Sequence, residues 1–242
     1  MRHSKIAVIG GSGLEGKSIA KGLATAGHQI FIGSREKSKA KSVVTRIMKN
    51  AKTVIPVNHL QGCTNKEAVK KAEVVFLAIP YDALRETLDK IGSEMDNKLI
   101  VDVIVPYKLR SPMILDAKLM KQYRGHFGPA KNPSVTEEIF LYLQGKYKYR
   151  PRLVAGLKTV SFKSVINHKG RAQPILTWGY DSGDMQILTN ILRKAISRAN
   201  IMEVPQMYWR SVEGVCELIR FMCLQGSKIE AMNFSYGAED EK

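Results

Sequence analysis

The chain of 242 residues has only three cysteines, no long apolar run and a shortage of acidic side chains. Cys63, Cys216 and Cys223 are too few and too scattered for a disulfide framework, and none has the spacing of a metal ligand. A reducing, cytoplasmic setting and the absence of structural zinc are the corresponding expectations. No stretch is long and apolar enough to span a bilayer, so no membrane association is expected. Met1 to Lys5 runs straight into a strand pattern, which does not read as a secretory signal. The five histidines, His3, His28, His59, His126 and His168, show no HxH, HExxH or Cys-His spacing. With no triad and no carboxylate pair either, no side chain is assigned as a catalyst. That pattern fits chemistry carried by bound cofactors, where the protein supplies mainly proximity and orientation.

With 38 Lys and Arg against 22 Asp and Glu, the formal net charge is +16, a field that favours anionic partners. The densest stretch, GKYKYRPR from Gly145 to Arg152, follows Lys118, Lys121, Arg124 and Lys131. It reads as a solvated loop or as a docking surface for a polyanion. No helix-turn-helix or aromatic RNA-binding signature is present, so nucleic acid is not the expected partner.

Strand and helix patterns alternate along the chain. IAVIGG is a short apolar run ending in glycine, and Leu14, Ile19, Ala20, Leu23 and Ala24 then recur at helical spacing up to a stop at Gly27. Gln29 to Gly33 predicts a second strand, and Val43, Val44, Ile47 and Met48 mark one helical face within Glu36 to Asn50. A third strand is predicted at Thr53 to Val57, a short helix at Asn65 to Lys71, and a doubly buried strand at Glu73 to Ile79. A helix starting near Asp82 and a strand at Leu99 to Val105 follow. Tyr107 to Pro133 reads as loops with room for one short helix. Beyond it, a helix is predicted from Ser134 to Leu143, strands at Leu153 to Val160 and Ile175 to Trp178, a helix from Asp181 or Ser182 to about Arg198, and one capped by Ser211 that reaches about Gln225. The acidic tail after Gly237 is expected to fray. This alternation argues for βαβ units in a Rossmann-type, doubly wound α/β fold with a mostly parallel sheet and a smaller, α-rich C-terminal part. The boundary is placed between residues 153 and 154.

Gly11, Gly13 and Gly16 form GxGxxG between the first strand and the first helix. In that context the first glycine permits the turn, the second admits a pyrophosphate, and the third lets helix and strand approach. The helix start adds free amides and the positive end of its dipole. The second strand ends in Gly33-Ser34-Arg35, where NAD-specific proteins place a carboxylate on the ribose 2′-hydroxyl. A hydroxyl and a guanidinium favour a 2′-phosphate, and hence NADP; Lys37 and Lys39 add charge in the next turn. The same letters also fit Ser34 as a helix cap with a solvated Arg35. Ile79-Pro80-Tyr81 and Val105-Pro106-Tyr107 follow strands whose carboxyl ends are candidates to line a nicotinamide, or are simple strand-ending prolines.

IAVIGGSGLEGKSIAKGLATAGHQIFIGSR, FLAIPYDA and VDVIVP resemble the coenzyme F420-dependent NADP reductase family, more faintly continued in PSVTEEI, LVAGLKTVSF and RSVEGVCELIRFM. The resemblance implies NADP held by Ser12, Gly13, Leu14 and Glu15 and by Ser34, Arg35 and Lys39. It implies the deazaflavin coenzyme F420 laid against the nicotinamide, with Ile79, Pro80 and Leu157 to Val160 lining a cleft that Gly226 to Phe234 closes. A homodimer is part of the same implication. The chain departs from the family at Lys158, where related reductases tend to have histidine; Lys158 reads either as a contact to an anionic acceptor or as a solvated lysine. Readings that compete with deazaflavin reduction are an NADPH-dependent reductase of a flavin, a ferric chelate or an imine, and an NADP-sensing binding protein.

Overall fold

The computed structural model describes residues 3–51, 55–105, 133–159, 174–196 and 199–224. Strands β1 (Lys5–Ile9), β2 (Gln29–Ser34), β3 (Leu60–Thr64), β4 (Val74–Leu77), β5 (Leu99–Asp102), β6 (Arg152–Ala155), β7 (Pro174–Gly179) and β8 (Asn200–Glu203) form one sheet in the order β3-β2-β1-β4-β5-β6-β7-β8. Every neighbouring pair is parallel except β6 and β7. The helices are α1 (Leu14–Thr25), α2 (Lys37–Lys49), α3 (Asn65–Lys71), α4 (Leu84–Ile91), α5 (Val135–Tyr147), α6 (Ser182–Ala195) and α7 (Trp209–Leu224). The Rossmann-type α/β reading is therefore correct, and the sheet runs on through residue 153, which lies inside β6.

Side-chain alternation along each strand divides the core in two. Ile6 and Val8, Val74 and Phe76, and Leu99 and Val101 point to one face, where Ile19 and Leu23 of α1, Val43 and Ile47 of α2, and Leu188 and Leu192 of α6 cover them. Ala7 and Ile9, Val75 and Leu77, and Ile100 point to the other, under Val69 of α3, Leu84 and Leu88 of α4, and Ile139 and Leu143 of α5. Burial on both faces explains why these strands read as continuous apolar runs. Each large aliphatic or aromatic side chain among them contributes about 1.5–3 kcal/mol relative to exposure.

Local chemistry sets the element ends. α1 stops where Gly27 takes φ +88°, with the amide of His28 donating to the Leu23 carbonyl and that of Gly27 to Ala24, the paired bonds of a Schellman ending. Capping boxes start α3 at Thr64 with Glu67 and α5 at Ser134 with Glu137, and the Asp181 carboxylate accepts from the Asp184 amide to start α6.

The structure corrects several boundaries. The third strand is Leu60–Thr64 rather than Thr53 to Val57, where Val57–His59 forms a 3-10 turn and residues 52–54 lie outside the described residues. β3 is a sheet edge, so only Leu60 and Cys63 of its five residues are buried. Its Gly62 lies so close to α2 that a Cβ would stand 2.5 Å from the Lys41 amide nitrogen. β6 ends at Ala155 instead of Val160, because Leu157 turns the chain with φ +61°. The last helix begins at Trp209, after a 3-10 turn at Gln206–Tyr208, and not at a Ser211 cap. β8, mostly exposed, has no counterpart among the elements predicted from the sequence. Residues 107–132, the segment from Gly226 to Phe234 and the acidic tail lie outside the described residues.

At the opposite edge from the strand ends, His28 is buried and accepts at Nδ1 from the Ser4 amide. Burial first, and then Lys194, His3 and His59, push its pKa down to about 4. An unfolded histidine takes up a proton below about pH 6.5, so between these values the unfolded chain binds more protons and acidification lowers stability. His28→Gln should flatten the fall in unfolding free energy between pH 6.5 and 4 by about 3 kcal/mol. Urea titrations at stepped pH check this; parallel curves for variant and parent would rule His28 out as the sensor.

Candidate functional site

All strands from β1 to β6 end at one edge, and chain direction across the sheet reverses between β1 and β4, the crevice in which open α/β sheets bind ligands. β1 leads into the glycine turn there. Gly10 takes φ +81° and accepts at its carbonyl from the Gly13 amide at 2.9 Å. The left-handed residue that makes the turn is therefore Gly10, one place before the motif read from the sequence, and a Cβ on it would stand 2.3 Å from the Ala78 carbonyl oxygen after β4. A Cβ on Gly16 would stand 2.5 Å from the Gly10 carbonyl oxygen, and one on Gly11 would meet Ile32 and the Val8 carbonyl. These close approaches draw β1, β2, β4 and the start of α1 into one crevice.

α1 begins at Gly13 with no side-chain cap, so its first-turn amides face outward with the positive dipole end and no competing side-chain oxygen from the cap residue. Ser12, Gly13 and Leu14 are exposed, Leu14 at 83%, and Glu15 is half-buried. Beside them β2 ends at Ser34, buried, whose Oγ accepts from the Glu36 amide at 3.4 Å; Glu36 is the N-cap residue of α2, so Ser34 does not cap that helix. Arg35 is exposed. Lys39 pairs with Glu36 at 2.6 Å and Lys37 with Glu67 at 2.9 Å; such solvent-exposed pairs contribute little and exchange readily for a stronger anion.

Across the crevice, Ile79 is half-buried with its Cγ2 against the glycine turn, Pro80 is exposed and Val105 half-buried; Pro106 lies outside the described residues. The structure thus brings Gly11 to Gly16, Ser34, Arg35, Ile79 and Pro80 together around the β1 and β4 ends, with Val105 one strand further on.

Lys158 is elsewhere, and it corrects the expectation of a solvated lysine. Its side chain is fully buried, with Nζ 2.6 Å from Asp102 Oδ2 and bonded also to Glu213 Oε1. Burial opposes its charge, but Asp102 and Glu213 overrule it and hold the ammonium above the ordinary lysine range. Asp102 also accepts from the Ile104 amide at 2.9 Å and the Thr136 hydroxyl at 2.8 Å, while Glu213 Oε2 accepts from the Val135 amide at 2.5 Å. Sequence reading missed Asp102 and Glu213; the only signal was an aspartate inside the apolar run LIVDVIV. No group of three or more His, Cys, Asp or Glu among the described residues is arranged to hold a metal. None of the described helices is long and apolar enough to cross a membrane.

Replacing Gly16 by alanine should cost about 1–3 kcal/mol from overpacking against Gly10. The same change at Gly214 in α7, where a Cβ meets nothing within 4 Å, should gain about 0.5–1 kcal/mol of helix propensity. Chemical denaturation of the two variants checks the contrast; equal effects would mean that the turn does not depend on the close approach.

Residues 5–106 match the family model described as NADP oxidoreductase coenzyme F420-dependent. The chain is 37% identical over 102 residues to the F420-dependent NADP reductase of Methanothermobacter marburgensis, and 35% over 106 residues to that of Methanocaldococcus jannaschii. Each match covers 42% of this chain and 45% of the relative, so the chain spans less than half of the length of these proteins. A solved structure assigned to the F420-dependent NADP-reductases, from Arthrobacter sp. FB24, has the same fold with a TM-score of 0.66, 18% identity, and coverage of 96% of this chain and 99% of that one. The resemblance read from the glycine turn, the β2 end and FLAIPYDA is therefore borne out: over residues 5–106 the chain is related to the coenzyme F420-dependent NADP reductases.

Proposed function

We propose that this chain is an oxidoreductase that passes a hydride between NADP(H) and the deazaflavin coenzyme F420. The observation that carries the reading is a glycine turn joined to a β2 that ends in Ser34 and Arg35, with the Glu36 carboxylate past the strand and paired with Lys39, within the stretch similar to F420-dependent NADP reductases. A Cβ at Gly10 would meet the Ala78 carbonyl and one at Gly16 the Gly10 carbonyl, so these two glycines hold the turn tight, whereas at Gly13 a Cβ would meet only the Gly10 carbonyl oxygen, at 3.4 Å, which fits backbone left open to a phosphate. In this reading the amides from Ser12 to Gly16 hold the pyrophosphate, and Gly11 keeps the turn tight against Ile32. Ser34 and Arg35 take the 2′-phosphate, and Lys39 exchanges Glu36 for it. Ile79, Pro80 and Val105 offer apolar sides that exclude water from the nicotinamide. The two cofactors carry the redox chemistry, one giving up a hydride and the other accepting it; the protein's task is alignment.

We assign nucleotide binding to residues 1–153 and closing of the cleft to residues 154–242, with β6 crossing that boundary and β7 and β8 continuing the same sheet. A cytoplasmic homodimer belongs to the same reading, supported by the resemblance and, for the reducing compartment, by the buried Cys63 and Cys216 thiols.

Arg35→Ala should weaken NADPH binding about tenfold or more, the loss of a charge-assisted contact worth roughly 1.5–3 kcal/mol, and leave NADH affinity within about twofold. Fluorescence titration of both nucleotides measures this, and parallel losses would withdraw the 2′-phosphate assignment. Purified protein with NADPH should bleach the absorbance of oxidised F420, more slowly as ionic strength rises. Nucleotide binding without bleaching at any pH would move the activity to another acceptor.

A further inference from the structure

The register places Ile9, Leu77, Asp102 and Ala155 in one row across the carboxyl edge of the sheet. Asp102 is therefore two strands from the end of β1, about 10 Å at the usual strand spacing. It sits on the side of the crevice beyond Ile79, where the chain leaves β5 through Val103, Ile104 and Val105. Just past β6, the left-handed Leu157 turns Lys158 inward, where its ammonium lies 5.5 Å from the centroid of the Trp178 ring. Glu213 arrives from α7, and Thr136 and the Val135 amide from the start of α5. Four segments distant in sequence meet in one buried cluster.

Its donors and acceptors close on each other. The ammonium reaches both carboxylates and, at 3.5 Å, the Thr136 hydroxyl; Asp102 receives the Ile104 amide and Thr136, and Glu213 receives the Val135 amide. Buried ion pairs of this kind seldom add net stability over apolar residues of similar volume, and their best-attested use is to select one arrangement among several packings. The arrangement selected here is that of α7 against the carboxyl ends of β5 and β6. Arg210 reinforces it through a two-point pair with Glu137 of α5 at 2.7 and 2.9 Å, and Tyr180 packs edge-on against Trp209 with centroids 5.0 Å apart.

We infer that Lys158, clamped between Asp102 and Glu213, is a positioning residue: it fixes the backbone from Val103 to Val105 as the far wall of the nicotinamide crevice, and locks α7 to that wall. This rests on the proposed NADP(H) reading of the crevice. With its side chain fully buried, Lys158 has no surface to offer the cofactors. It acts through Asp102 and the Ile104 amide that Asp102 holds.

Lys158→Met alone leaves two buried carboxylates facing each other and is expected to fold poorly. The informative protein is the triple variant D102N/K158M/E213Q, whose amide oxygens still accept from Ile104 and Val135 while all charge is gone. Its melting temperature should stay within a few degrees of the parent and its NADPH affinity within threefold. Turnover of NADPH with F420 should fall tenfold or more in kcat with KM for NADPH little changed. A kcat within threefold of the parent, or a loss seen only in KM, overturns the positioning role. If the parent protein itself fails to bleach F420, the function reading falls separately, and amide hydrogen exchange decides the positioning claim. In that case NADPH should protect Val103 to Val105 in the parent and not in the triple variant, with Gly13 to Lys17 protected in both; equal protection at Val103 to Val105 in the two proteins overturns it.

Discussion

The contact on which the crevice depends is the approach of Gly16 to the carbonyl of Gly10, with Gly10 itself pressed against the Ala78 carbonyl. Any Cβ at either place would push α1 away from β1 or the glycine turn away from β4. Because the contact is tight, the start of α1 lies over the point where the sheet reverses, and its N-cap residue, Gly13, brings no side chain to compete for the first-turn amides. Electrostatics then follows from geometry: a helix dipole and free amide groups attract a pyrophosphate only if backbone, rather than side chain, lines the approach.

A second constraint works from the far side. The row Ile9, Leu77, Asp102, Ala155 ties the glycine turn to the buried Lys158 cluster through the hydrogen-bonded sheet itself. One end of the row is apolar and shaped by the absence of side chains; the other is ionic and shaped by complete pairing. Between them, in the proposed reading, the crevice has two fixed walls. Hydride transfer between bound cofactors gains from such fixed walls because its rate depends on how closely and how consistently the reacting atoms are held.

Much of this was legible in the sequence, for reasons that differ by element. β1, β4 and β5 were readable because burial on both faces demands unbroken apolar runs, and α3 and α5 because their capping boxes are local. The Gly11, Gly13 and Gly16 motif marked the turn, although the left-handed residue is Gly10, since a run of two glycines does not say which one takes the positive φ. β3 and β8 escaped because edge strands are half-exposed and carry no apolar signature. Lys158 escaped most completely. Its partners Asp102 and Glu213 lie far from it along the chain, and a lone lysine after a strand looks the same whether its ammonium meets water or two carboxylates.

In the proposed function, NADP lies across the β1 and β4 ends with its 2′-phosphate at the end of β2. A crystal structure of the protein with NADP+ tests it most directly. The pyrophosphate should lie on the amides between Ser12 and Gly16, the 2′-phosphate within hydrogen-bonding distance of Ser34 and Arg35, and the nicotinamide between Ile79 and Val105. A nucleotide bound with its 2′-phosphate turned away from Arg35, or seated at any other edge of the sheet, would contradict it.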